Sequence, residues 1–292
     1  MRNPASNGRH RRTERVLKTV LQRLSVFLLA AVTGAAAAAG GKYLPDIRQI
    51  LDKKKLVVAV IAHDVPPMIE TGKDGKLTGF DIELARAIAK RLEVEVEFVR
   101  TAETYDGVVE LVAKSEADIG VSYLSRTTTR AKFVYFTNPY LIQSATLLVN
   151  RTKAFKYRWD CPSLDEVHEL LKTPGQIGIV KKGAYATWVK QLPDTSVKEF
   201  DSGSEKMGAV LKGEILGSLQ GEVQARDFLQ DDPAAAIRLK LCEIGTRKDY
   251  IAIAVRPDAP NLWYWLNVYL ENRTLVFTTK DIFMQQGEWD FE

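Results

Sequence analysis

Ser125 and Arg130 stand five residues apart in the stretch 117–140, ADIGVSYLSRTTTRAKFVYFTNPY, where Ser122, Thr127 and Thr128 add further short hydroxyls. A guanidinium fork flanked by small donors matches the planar geometry and charge of a carboxylate on a small molecule. A solvated surface loop is the bland alternative for the same composition. Other chemistry finds little support. His10, His63 and His168 show no metal-ligand spacing, and His168-Glu169 lacks the second histidine of a zinc motif. In Gly217-Ser218-Leu219-Gln220-Gly221 the serine is misplaced for a nucleophile elbow, and no glycine-rich phosphate loop occurs. No catalytic residue, metal or cofactor is therefore expected.

The elements that must carry this loop are legible from hydrophobic periodicity. Residues 56–61 form an apolar run of strand length, 72–79 carry hairpin turn chemistry, and Ile82, Ala85, Ile88, Ala89 and Leu92 fall at helical spacing. Val94, Val96 and Phe98 then alternate with Glu95 and Glu97, a helix is expected over 105–114, and a strand at 119–121 enters the loop. After a crossing segment at 140–150 the same grammar repeats: strand 176–180, helix 184–191, strand 196–200, helix 204–212, strand 215–219 and helix 222–229. Two α/β units of the same order imply two lobes facing a shared crevice, with a ligand at the carboxyl ends of the strands. A further strand at 251–255 and an aromatic helix at 261–271 follow, the cluster Trp263, Tyr264 and Trp265 reading as packing rather than a binding platform.

At 292 residues and 46% apolar the chain is long enough for two lobes with their own cores. Its net charge of +4 is misleading: seven basic residues against Glu14 give the first 39 residues +6, so +4 less +6 leaves −2 for the rest. A slightly acidic folded part has no electrostatic case for nucleic acid. The basic N-terminus, the apolar run 24–32 and the closing alanines read as an export signal over 1–39, cleaved or kept as an anchor. In an oxidising compartment Cys161 and Cys242 could pair or remain as two buried thiols.

The pattern S-Y-L-S-R-T-T-T-R followed by F-x-x-F-T-N-P-Y resembles the signature of the family 3 bacterial solute-binding proteins, the periplasmic receptors of polar amino-acid ABC transporters. The similarity runs from about Leu56 to the C-terminus. It implies the periplasmic-binding-protein type 2 fold: two α/β lobes joined by a two-strand hinge around a ligand crevice. The first lobe would comprise 40–144 and a return segment 249–292, the second 145–248. In that family the positions of Ser125 and Arg130 grip the ligand carboxylate, and Ser122 lies in the contact region. Gly183-Ala184 replaces a Gly-Thr helix start, keeping its backbone donors without the hydroxyl. Val65 stands where an aromatic often stacks on the ligand, and Tyr105 reads as packing. In Gly79-Phe80-Asp81-Ile82-Glu83-Leu84 the glycine serves a turn, Phe80 an anchor and Asp81 a helix cap.

One departure bears directly on the ligand. Gly221 occupies the place of the aspartate that pairs with a ligand ammonium. Either Glu222 turns inward to replace it, or the solute is not an α-amino acid, or Glu222 merely favours the start of its helix. The resemblance implies a monomeric, periplasmic receptor that presents a small carboxylate-bearing solute to an ABC permease. The alternatives are a dehydratase-like periplasmic enzyme, with Glu222 or Asp64 as its acid, and an accessory or sensory module that has lost the amino-acid site.

Overall fold

The computed structural model describes residues 43–158, 160–284, 289 and 291, so the expected export signal at 1–39 lies outside the described residues. The described residues from Pro45 onward belong to one compact unit. Its first sheet is built on β1 (Lys55–Ile61), whose apolar run is buried on both faces, as a central parallel strand must be. A hairpin of β2 (Glu70–Thr71) and β3 (Leu77–Thr78) follows, turning at Gly75 with φ of +79°. The helix Phe80–Arg91 leads to β4 (Glu95–Ala102), parallel to β1, and the helix Tyr105–Ala113 leads to β5 (Ile119–Gly120), parallel to β1 on its other side. The short β6 (Tyr135–Phe136) closes this half.

Beyond β6 the chain enters a second sheet through β7 (Leu141–Asn150). The strands β8 (Ile177–Val180), β9 (Lys198–Phe200), β10 (Gly217–Gly221) and β11 (Leu239–Ile251) complete the order β11-β7-β10-β8-β9. The chain then returns as β12 (Ala254–Val255) between β5 and β6, giving the first sheet the order β4-β1-β5-β12-β6, while β13 (Phe277–Thr278) pairs with the start of β7. Separate cores fill the two halves. In the first half the core surrounds Phe80, Val58, Ile88 and Ile119; the second half has one cluster around Leu147, Val167, Leu171 and Ile177 and another around Leu148, Phe200, Val210 and Ile215.

The crossings therefore fall between Phe136 and Leu141 and between Ile251 and Ala254. They hold each other: the Tyr140 N–H donates to the Ile251 carbonyl at 3.0 Å, and the Thr137 N–H to the Ile253 carbonyl at 3.0 Å. Two further features differ from the expected elements. The helix Leu164–Lys172 opens on a capping box in which Ser163 and Glu166 satisfy each other's backbone N–H, and that spacing is the signal that could have located it. The 13-residue β11 is far longer than any strand expected there. It is an edge strand studded with charges, and its pairing with β7 breaks between Glu243 and Lys248, so no clean alternation marks it.

Cys161 and Cys242 form a disulfide, with Cα atoms 5.5 Å apart and a sequence separation of 81. It ties the segment ahead of the helix Leu164–Lys172 to β11. Closing so long a loop restricts the unfolded chain, and the double variant Cys161→Ser/Cys242→Ser is expected to lose about 2–4 kcal/mol of stability. Urea unfolding of the oxidised protein beside the variant checks this; coincident curves would contradict it.

Candidate functional site

The loop after β5 is held at its base by two buried side chains. Ser122 accepts the Ile61 N–H at 2.9 Å, tying the loop to the end of β1. Asp81, expected as a helix cap, does something else: Gly79 is the N-cap, and the Asp81 carboxylate accepts the Tyr123 N–H and, at 2.8 Å, the Tyr140 hydroxyl. Its first-turn position aims it at the neighbouring loop rather than back at its own helix. Burial pushes its pKa up to about 7, against these two donors. Tyr123 sits at φ of +49°, so the loop turns sharply there.

That turn delivers Ser125 and Arg130 to a crevice between the two halves. Arg130 is 5% exposed and already engaged: its Nε donates to Asp106 at 2.9 Å, Nη1 to the Ser125 carbonyl at 3.1 Å, and Nη2 to the Lys182 carbonyl of the second lobe at 3.4 Å. Of the five guanidinium N–H groups this leaves one on each terminal nitrogen for a ligand. Tyr105 lies beneath the guanidinium, 6.0 Å from ring centroid to Cζ, and lines the crevice, so it is a wall as well as packing.

The crevice carboxylate is one the sequence reading missed. Asp249, on β11 just before the crossing, accepts the Ser125 hydroxyl at 3.0 Å, the Tyr185 hydroxyl at 3.4 Å and Gln143 Nε2 at 3.5 Å, all on Oδ2. Burial raises its pKa, while the Ser125 hydrogen bond and the Arg130 charge pull it back. Its place beside the expected strand at 251–255 was the available signal.

Gly221 is explained by the same constellation. A Cβ there would come within 2.5 Å of Gln143 Cδ, because the buried Gln143 amide fills the space where a side chain would lie. The Gln143 Oε1 accepts the Tyr123 hydroxyl at 2.6 Å and the Val223 N–H at 3.1 Å. Glu222 does not turn inward. Arg226 donates to its Oε1 at 2.6 Å and the Thr279 hydroxyl to its Oε2 at 3.0 Å, so it anchors its helix to the return segment.

The remaining expected residues divide. Gly183 and Ala184 line the crevice. Val65 is buried in a bridge with Ile69 beside an adjoining hollow that contains Asp227 and Phe228. His63 touches both spaces, and burial lowers its pKa. Burial alone would raise Asp64, but the Thr71 hydroxyl and N–H together with Arg100 outweigh it and hold the carboxyl low, which suits an ion pair and not a proton donor.

Two donors on the second lobe complete the lining. Lys206 is 1% exposed and its Nζ donates to the Leu219 carbonyl at 2.7 Å; burial pushes its pKa down to about 7. Gln220 accepts the Ser218 hydroxyl at 2.8 Å on Oε1, but its buried Nε2 has no hydrogen-bond partner among the described residues. Lys206 shares a helix face with the buried Val210, four residues on, and that misplaced charge was its signal. Among the described residues no group of His, Cys, Asp or Glu could hold a metal, and no helix is long and apolar enough to cross a membrane.

Comparison with known proteins agrees with this geometry. The pattern of the bacterial extracellular solute-binding proteins, family 3, matches residues 56–281. ABC transporter arginine-binding protein 1 of Escherichia coli (strain K12) is 25% identical over 213 residues, 71% of this chain and 80% of that protein. L-cystine-binding protein TcyJ of the same organism is 25% identical over 166 residues, 56% of this chain and 58% of that one. The crystal structure of the ancestral amino acid-binding protein AncCDT-1, a precursor of cyclohexadienyl dehydratase, superposes with a TM-score of 0.67 at 26% identity, covering 83% of this chain and all of that one. The architecture is the type 2 periplasmic-binding-protein fold, two α/β lobes joined by a two-strand hinge with a crevice between them.

Proposed function

The chain belongs to the bacterial extracellular solute-binding proteins, family 3, and from that premise we propose that it captures a small α-amino-acid solute between its lobes and presents it to an ABC permease from the periplasm. The observation that carries this reading is the pairing on Ser125. Its carbonyl accepts Arg130 and its hydroxyl donates to Asp249, so one residue sets a cation and an anion side by side in the crevice. An α-carboxylate on the free guanidinium N–H groups, with its ammonium on Asp249 Oδ1, satisfies both. Asp249 thus takes the part for which position 221 has no room.

Closure follows from the same contacts. Arg130 of the first lobe already reaches the Lys182 carbonyl of the second. A ligand touching both lobes binds the closed arrangement better than the open one and shifts the population towards it. The permease then distinguishes loaded from empty receptor by shape.

A thermal-shift screen of the purified protein against α-amino acids and their deaminated analogues tests the reading. At least one α-amino acid is expected to raise the melting temperature while its deaminated analogue does not. Arg130→Ala should weaken that ligand by about 10- to 100-fold, the value of a charged hydrogen bond. Asp249→Asn should erase the preference for the amine. An Arg130→Ala variant that binds as tightly as wild type would overturn the assignment.

A further inference from the structure

Lys206 and Gln220 line the crevice from the second lobe, and their hydrogen bonds go to the Leu219 carbonyl and Ser218 rather than to Arg130 or Asp249. Among the described residues the Lys206 Nζ makes one hydrogen bond, to a carbonyl, and no charged group offsets its burial. A lysine ammonium carries three donors, so two remain. Gln220 adds a buried Nε2 that is left without an acceptor. Burying an ammonium and an amide with donors unmet costs free energy in the empty protein. The local sequence accommodates the lysine all the same. A Cβ at Gly178 of β8 would stand 3.2 Å from Lys206 Cγ and only 2.7 Å from Ile215 Cδ1, so the lysine stem lies over a position that is kept bare.

We infer that Lys206 and Gln220 form a specificity subsite for a second carboxylate at the far end of the solute, so that the preferred ligand is an amino acid bearing a distal carboxylate. This rests on the receptor reading above, in which Arg130 and Asp249 hold the α-carboxylate and ammonium. A distal carboxylate supplies acceptors for Nζ and for Gln220 Nε2 together, and it gives the protonated form of Lys206, which has no anionic partner among the described residues, a counter-charge that favours proton uptake on binding. A guanidinium or ammonium tail would meet Lys206 as a like charge, which selects against arginine and lysine. A carboxamide tail could accept both hydrogen bonds but leaves the charge unbalanced, and it should rank between the two.

Calorimetric titration decides it with L-glutamate, L-aspartate, L-cystine, L-glutamine, L-alanine and L-arginine on wild type, Lys206→Met, Gln220→Met and Arg130→Ala. L-Cystine separates a second α-carboxylate from a side-chain carboxylate as the occupant. Wild type is expected to bind one of the distal carboxylates most tightly. Lys206→Met should weaken that ligand about tenfold or more while leaving L-alanine within about twofold, and Gln220→Met should act in the same direction. Arg130→Ala should weaken every ligand alike. If L-arginine or L-alanine binds wild type most tightly, or if Lys206→Met leaves the distal carboxylate unaffected, the subsite assignment falls while the receptor reading stands. If no amino acid binds wild type at all, both fall.

Discussion

The ligand-free protein is expected to be least stable near pH 7 and to gain stability on either side. The buried Lys206 has its pKa pushed down to about 7 from the ordinary 10.5. Between those values the unfolded chain holds the proton and the folded one does not, so stability rises as the pH climbs through this range. On the acid side Asp81 is pushed up to about 7 and Asp227 to about 6 from 3.8, both chiefly by burial. Here the folded protein holds the protons, and stability falls as the pH rises from about 4 towards 7. Burial raises Asp249 and Glu70 in the same sense. His63, lowered by burial, opposes them, but a single histidine is outnumbered. At about 1.4 kcal/mol for each factor of ten in proton affinity, Lys206 and Asp81 each shape the curve by several kcal/mol.

Urea midpoints from about pH 4.5 to 10 measure this curve. Lys206→Met should lose the alkaline rise, keep the acid limb, and exceed wild type in stability at pH 7, since methionine fills a similar volume without a charge. A wild-type curve that is flat above pH 7, or an unaltered rise in the variant, would show that Lys206 is not the group responsible.

Asp81→Ala is expected to remove about 2–6 kcal/mol of stability. Two interior donors, the Tyr123 N–H and the Tyr140 hydroxyl, lose their acceptor together, and each unmet donor costs about 1–3 kcal/mol. Asp81→Asn should fall between alanine and wild type, because its amide keeps one acceptor oxygen but turns an NH₂ towards the second donor. The consequence extends to the crevice. Tyr123 holds a left-handed backbone conformation immediately before the segment that carries Ser125 and Arg130, and a side chain other than glycine stays there only where its surroundings impose it. Solute affinity should therefore fall in Asp81→Ala even at a temperature where the variant is fully folded. Unfolding curves and calorimetry on the same preparations separate the two effects. An alanine variant within about 0.5 kcal/mol of wild type would mean that the latch carries no weight.

The architecture was largely legible because its signals are local. The apolar run of β1, the periodicity of the helix Phe80–Arg91 and the alternation of β4 each need only a few neighbouring residues, and the structure places all three as expected. The loop carrying Ser125 and Arg130 was legible for the same reason. The helix Leu164–Lys172 had its signature in Ser163 and Glu166, whereas β11 had none, since an edge strand rich in charge carries no clean period.

Local pattern alone therefore yields two α/β units and a hydroxyl-rich loop that carries Arg126 and Arg130. Which polar groups meet there depends on the packing of elements far apart in the chain. Ser125 and Asp249 lie 124 residues apart yet share a hydrogen bond. Gln143 excludes any side chain from position 221, and Glu222, the nearest carboxylate in sequence, is held by Arg226 and Thr279 instead. Lys206 stands out in sequence only as a charge on the buried face of its helix, and its acceptor, the Leu219 carbonyl, is supplied by β10. Hydrophobic period reports which face of an element is buried, but the partners of a buried charge are set by register and crossing between distant elements, and no local pattern encodes them.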